Sequence, residues 1–174
     1  MKKIKRWCLG LIVAVIGLVG YFVVEAASED VEFTSVSHAG VQHSLLVENE
    51  YVYIGKNLKW PGEDLPVIHN VSILTKEGEE LDSQNDHIQI ELLVDDSQQT
   101  QILYGELSDE QTEIVANYEK LQDYQMTEPQ MTMVMQVKLK NPQYQYHLDS
   151  LNIEYTIDGK TRTQQLPLKN FIFH

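Results

Sequence analysis

Three hydrophobic patterns divide the chain, and each predicts a different kind of element. The first has no polar period at all: from Trp7 to Val24 (WCLGLIVAVIGLVGYFVV) no charged side chain interrupts about eighteen mostly apolar residues. A helix spanning the hydrocarbon needs roughly 20 such residues, whereas the apolar region of a removable signal has about 7–15. The run therefore predicts one of two outcomes. In the first it is a retained anchor, with Leu11, Ile12, Val15, Ile16, Val19 and Phe22 in lipid and Trp7 and Tyr21 near the interfaces. In the second it is a signal cleaved near Ala26. The apolar helix continues without a polar break almost to that site, which favours the anchor. Lys2, Lys3, Lys5 and Arg6 precede the run, so the N-terminus is expected on the cytoplasmic side and everything after Glu25 outside.

The second pattern has a period of two and begins at Val31, after a short acidic tether, EAASED, over 25–30. Val31 and Phe33 alternate with polar neighbours, and Val41 to Ile54 contains two short β-prone pieces on either side of Glu48-Asn49-Glu50. Gly55 to Pro66 (GKNLKWPGEDLP) has loop composition, with a bend at Trp60-Pro61-Gly62. Strands are predicted over Val67–Thr75, His87–Val94 and Thr100–Leu107. The clearest alternation in the chain sets Met131, Met133, Met135, Val137 and Leu139 against Thr132, Val134, Gln136 and Lys138. Leu151, Ile153, Tyr155 and Ile157 form another strand, Asp158-Gly159 is a two-residue hairpin turn, and Lys160 to Leu166 returns. Leu168 to Phe173 is apolar enough for a last strand.

The third pattern is helical and covers Ser108 to Tyr124. Ser108 followed three residues later by Gln111 is a capping box, Asp109 and Glu110 suit the positive end of the helix dipole, and Ile114, Val115, Tyr118 and Leu121 form one apolar stripe. Eight or so short strands around one helix predict an antiparallel β-sandwich of immunoglobulin-like kind, with the helix inserted at about 108–124. The cysteine pair and core tryptophan of antibody domains are missing, so the likeness is one of architecture. The chain then divides into a membrane anchor or signal (1–24), the tether (25–30) and an extracytoplasmic domain (31–174).

Composition narrows the functional classes. Cys8 is the single cysteine, so no disulfide can brace the domain. The residues before it, Lys5, Arg6 and Trp7, are not those of a lipidation site. The chain has 13 basic and 26 acidic side chains; four of the basic ones precede residue 7, which leaves 9 against 26, or −17, for the rest. Such a surface repels phosphate backbones, which argues against nucleic acid and suits solubility, a basic partner or a cation.

Candidate chemistry is sparse. No nucleophile elbow, His-Glu-x-x-His, phosphate-binding glycine loop, dinucleotide fingerprint or Cys-x-x-Cys occurs, so an enzyme is not expected and no cofactor is implied. Met131, Met133 and Met135 project from one side of a strand, where soft thioethers could hold Cu(I), with His147 and His87 as the imidazole partners such a site would use although nothing in the sequence brings them near. That face continues as Val137 and Leu139, which is the pattern of a core with Met as filler. Asp82 to Asp86 and Asp95-Asp96 gather oxygen ligands in loops, but the first lacks the glycine and distal glutamate of a calcium loop. Tyr144 and Tyr146 alternate beside His147, and Trp60 stands in a Pro/Gly bend; exposed rings of this kind could stack on a sugar or peptide. The expectation is a non-enzymatic, membrane-anchored module of a bacterial cell envelope that binds a protein or envelope component. A copper or small-ligand carrier using the Met/His set and an envelope enzyme with no visible motif are the alternatives.

Overall fold

β9, Gln130–Leu139, is the centre of the larger sheet and is hydrogen-bonded along its length on both sides. This and all that follows is drawn from a computed structural model, which describes residues 31–36, 40–82, 85–144, 148–168 and 172–173. The N-terminal apolar run and the tether lie outside the described residues; among those described, no helix is long and apolar enough to cross a membrane.

The architecture is mainly β, with antiparallel sheets and, among the described residues, two short helices. The elements in chain order are β1 (Thr34–Ser35), β2 (Val41–Gln42), α1 (His43–Glu48), β3 (Val52–Lys59), β4 (Val67–Thr75), β5 (Ile88–Asp95) and β6 (Ile102–Tyr104). They continue with α2 (Asp109–Ala116), β7 (Glu119–Lys120), β8 (Tyr124–Gln125), β9, β10 (Leu148–Ile157), β11 (Lys160–Pro167) and β12 (Ile172–Phe173). The larger sheet runs β1-β3-β9-β5-β7, with β6 on the same side of β3 as β1; the second runs β11-β10-β4-β8; β12 and β2 form a short parallel pair.

Alternation puts Leu58, Ile54 and Val52 of β3, the three methionines of β9 and Val94, Leu92 and Ile90 of β5 on one face of the larger sheet. The second sheet turns Leu151, Ile153 and Tyr155 of β10, with their partners on β4 and β11, to its own apolar face. The two sheets meet at an aromatic cluster. Phe33, just before β1, and Trp60, just after β3, both pack on Tyr155 of β10, with ring centroids 5.0–5.3 Å apart. Each ring removes roughly 150–250 Å² from water, which makes this cluster a main source of the core's stabilisation. Gln164 of β11, also buried, accepts from the Phe33 amide and donates to its carbonyl, both at 2.7 Å, so the strand that pairs with one sheet is fastened to the other.

Three expectations are corrected. Of the two β-prone pieces flanking Glu48-Asn49-Glu50, the second is the start of β3, but the first is strand only at Val41–Gln42, because His43–Glu48 is helical: it has strong helix formers in Leu45, Leu46 and Glu48, buries Leu46, and is closed by Asn49 donating to the Leu45 carbonyl. Gly55 to Lys59 is strand, not loop. At Gly55 the neighbouring chain approaches so closely that a β-carbon would lie 2.0 Å from the Thr100 carbonyl oxygen, and the Gly55 amide donates to Gln101. The loop-forming glycine is thus a contact point inside a sheet. Finally, the predicted helix over 108–124 ends at Ala116. Its capping box forms as read, but Tyr118 is drawn to a hydroxyl bond with Thr100, and the next residues pair with β5 and β4 as β7 and β8. The Asp158-Gly159 hairpin is confirmed, with φ of 52° and 71° as a type I′ turn needs.

One cation sits on the apolar face. Lys56 lies opposite Met133 in the ladder, is 8% exposed, and has no carboxylate beside it among the described residues. Burial lowers its pKa, since the charged form is poorly solvated there. The unfolded chain therefore holds this proton to higher pH than the folded one, and stability should rise as pH climbs toward about 10.4. Lys56→Met should raise stability at neutral pH by about 1–2 kcal/mol and abolish that rise, checked by urea unfolding at several pH values. Gly55→Ala should cost about 2–3 kcal/mol in the same assay, because the clashing atom is backbone and cannot move aside.

Candidate functional site

The face of β9 opposite the methionines is covered over half its length and open over the rest. Near its start Thr132 and Val134 are buried, on the side where Thr100, in the segment after β5, lies against the sheet and holds Tyr118. Toward its end the strands present side chains in rows: Tyr53 of β3, Gln136 of β9 and Glu91 of β5 form one row, with Lys138 and Gln89 in the next. Tyr51 joins the second row by placing its ring 4.7 Å from the Lys138 ammonium, which also binds Glu50 at 2.7 Å. Gln136 donates to the Tyr53 hydroxyl, and the Tyr118 ring stands 5.9 Å from that of Tyr53.

The result is a sheet face of three tyrosines among amides and charges, with Tyr51 36% exposed. The Glu50 contact holds the Lys138 pKa above its usual value, so the cation persists at any physiological pH. Burial raises Tyr53, and it pushes Tyr118 up to about 12, so both hydroxyls stay protonated and able to donate. This arrangement can stack on a flat apolar surface while its rim exchanges hydrogen bonds.

The border of this face is fixed by a buried carboxylate. Asp95, at the end of β5, accepts from the Ser97, Gln99 and Thr100 amides and from the Ser97 and Thr100 hydroxyls, at 2.5–2.9 Å. Thr100 in turn bonds the Tyr118 hydroxyl at 2.7 Å, so the carboxylate positions the ring through one intermediary. Beside it an acidic hollow of about 330 Å³ lies between the 95–99 turn and α2, lined by Asp96, Glu110 and Glu113 among others. Among the described residues, no group of three or more His, Cys, Asp or Glu is arranged to hold a metal ion.

The residues singled out from sequence are dispersed. Trp60 is 1% exposed and donates its indole N–H to the Asp64 carbonyl, so it is a core residue and not part of a surface. Met131, Met133 and Met135 are buried among aliphatics as the continuation into Val137 implied; they form a core face and not a thioether set open to an incoming ion. Tyr144 is half-buried and stacks at 5.1 Å on His87, whose ring meets the Asn141 amide. Tyr146, His147 and the anchor residues Trp7 to Phe22 lie outside the described residues. The tyrosine face itself went unread. Its signal was available in Tyr51-Val52-Tyr53, which has the same alternation as Tyr144 and Tyr146, but Gln136 and Lys138 come from a strand more than eighty residues away.

No family model, no curated protein and no solved structure matches the chain.

Burial alone would raise the Asp95 pKa, but its hydrogen bonds outweigh this and hold it below the ordinary carboxylate value. A depressed folded pKa means stability that is complete above the unfolded value near 3.9 and is lost as pH falls through the folded one. Asp95→Asn should cost about 2–4 kcal/mol at neutral pH, because its amide nitrogen would face donors, and should flatten the acid limb of the stability profile. Chemical unfolding of both proteins between pH 2 and 7 tests this.

Proposed function

We propose that the chain is a non-enzymatic binding module of a bacterial cell envelope. In this reading its two sheets form an immunoglobulin-like sandwich, held outside the membrane by the N-terminal apolar run with its basic end inside. It engages a protein or an envelope component through the tyrosine face of the larger sheet. The observation that carries the reading is that face: Tyr51, Tyr53 and Tyr118 arrayed with Gln136, Lys138 and Glu91 on an open part of a rigid sheet. Tyrosines supply contact area at small entropic cost, and a sheet pre-orders them, so binding need not order them anew. The charge split supports the placement, since all four leading cations precede the run and the domain beyond it is strongly acidic.

The test has two parts. Intact mass and membrane fractionation of the full chain should find it uncleaved and in the membrane; a released product beginning at Ala27 would remove the anchor. Cosedimentation with purified cell-wall sacculi and crosslinking in intact cells should both depend on the face, with Tyr51→Ala/Tyr53→Ala weakening capture about tenfold or more while the melting temperature changes little. Equal capture of parent and variant by every component would overturn the assignment of this face.

A further inference from the structure

On another flank, two strands leave their outer edges uncovered. β7 pairs with β5 only at Leu93 and Val94, so among the described residues no strand lies against Ile88 to Leu92 on that side. β8 pairs with β4 only at Val67 and Ile68, and the Leu74–Glu80 bridge meets β4 near its other end. Between β4 and β5 is a slot of about 290 Å³, walled by Val71, Ile73, Ile90 and Leu92 and closed by Leu81 and Leu121.

The two edges are not equally available. On β4 the His69 carbonyl accepts from Asp123 and the Ile73 carbonyl from Leu81, which leaves little backbone to offer. On β5 the His87 carbonyl accepts from Lys140 of the β9 side; by antiparallel alternation Gln89 and Glu91 also turn toward β9, and Ile88 and Ile90 turn toward the open flank, where the Ile88 amide is taken by the Asn85 side chain at 3.2 Å and the Ile88 carbonyl and both backbone groups of Ile90 are presented. A row of such groups is matched by another extended chain. A helix has its own backbone groups already bonded, and a sugar cannot repeat at the strand period.

We propose that the open edge of β5 takes an added strand, an extended peptide segment in which basic and aliphatic residues alternate. In such a ladder, side chains on one side of the incoming strand enter the slot beside Ile88, Ile90 and Leu92, where the lining calls for Val, Ile or Leu. Those on the other side emerge beside Gln89 and Glu91, which calls for Lys or Arg. The same acidity, 26 acidic against 13 basic side chains in the chain, opposes a second copy as the occupant. The site goes beyond the tyrosine face and needs neither Tyr51 nor Tyr53.

The test uses the full 174-residue chain in detergent and a fluorescein-labelled hexapeptide of alternating Lys and Val, followed by anisotropy. Methylating alternate backbone amides of the peptide should weaken binding about tenfold or more, and exchanging its Lys for Glu should abolish it. Glu91→Lys in the chain should weaken binding of the parent peptide about tenfold, whereas Tyr51→Ala/Tyr53→Ala should leave it unchanged. Ile90→Pro should also remove binding; because proline can disturb the strand itself, amide hydrogen exchange on the unchanged chain decides, with peptide slowing Ile90 about tenfold. The proposal is overturned if the parent peptide does not bind, if the methylated peptide binds equally, if protection falls elsewhere, or if that amide is already protected by self-association.

Discussion

Pairing of β9 on both sides and burial of both its faces over Met131 to Met135 is the constraint on which the larger sheet depends. A strand in this position must satisfy every backbone group by ladder and cannot leave a polar side chain unpartnered. Thr132, the polar residue at its fully buried end, accordingly donates its hydroxyl to Asn57 of β3 at 2.8 Å. The close approach at Gly55 belongs to the same constraint: the segment after β5 can cover Thr132 and Val134 only by passing against β3, and glycine is what lets it pass.

The second sheet is joined to this centre less by area than by two directional devices. The Gln164 amide grips both backbone groups of Phe33, and the rings of Phe33, Trp60 and Tyr155 meet at tilted or edge-on angles of 57–87°. Buried amide bonds are costly to leave half made, so they fix register as well as adding stability. Asp95 does the same for the covered half of the outer face. It anchors the turn that carries Thr100, and Thr100 anchors Tyr118 at the border of the open half. This hydrogen-bonded border holds the Tyr118 ring beside Tyr53.

Both candidate contact regions arise where the sheets stop being covered. The outer face of the larger sheet is open beyond Val134, and the edge of β5 is open before Leu93. Glu91 stands at the meeting of the two regions, on a chain with 26 acidic and 13 basic side chains.

Much of the β content could be read directly, because period-two alternation is a local property. Val67–Thr75 matches β4 residue for residue, β5 and β9 to β11 fall within a few residues of their predicted bounds, and the Asp158-Gly159 turn and the Ser108 capping box form as their residues require. The leading basic cluster and apolar run, and the excess of acid after them, are likewise properties of the sequence alone. What tertiary structure decided was set by distant partners. Gly55 became strand because Thr100 lies against it, the helix stopped at Ala116 because β5, β4 and Thr100 claim the residues beyond, and Trp60 went inside because Phe33 and Tyr155 meet there. Tyr51 and Tyr53 became part of a surface for the same reason, since Lys138 and Gln136, which complete it, are adjacent only once β3 and β9 have paired. Local periodicity fixes which residues can share a face, but the choice between core, cover and open surface depends on what packs against that face.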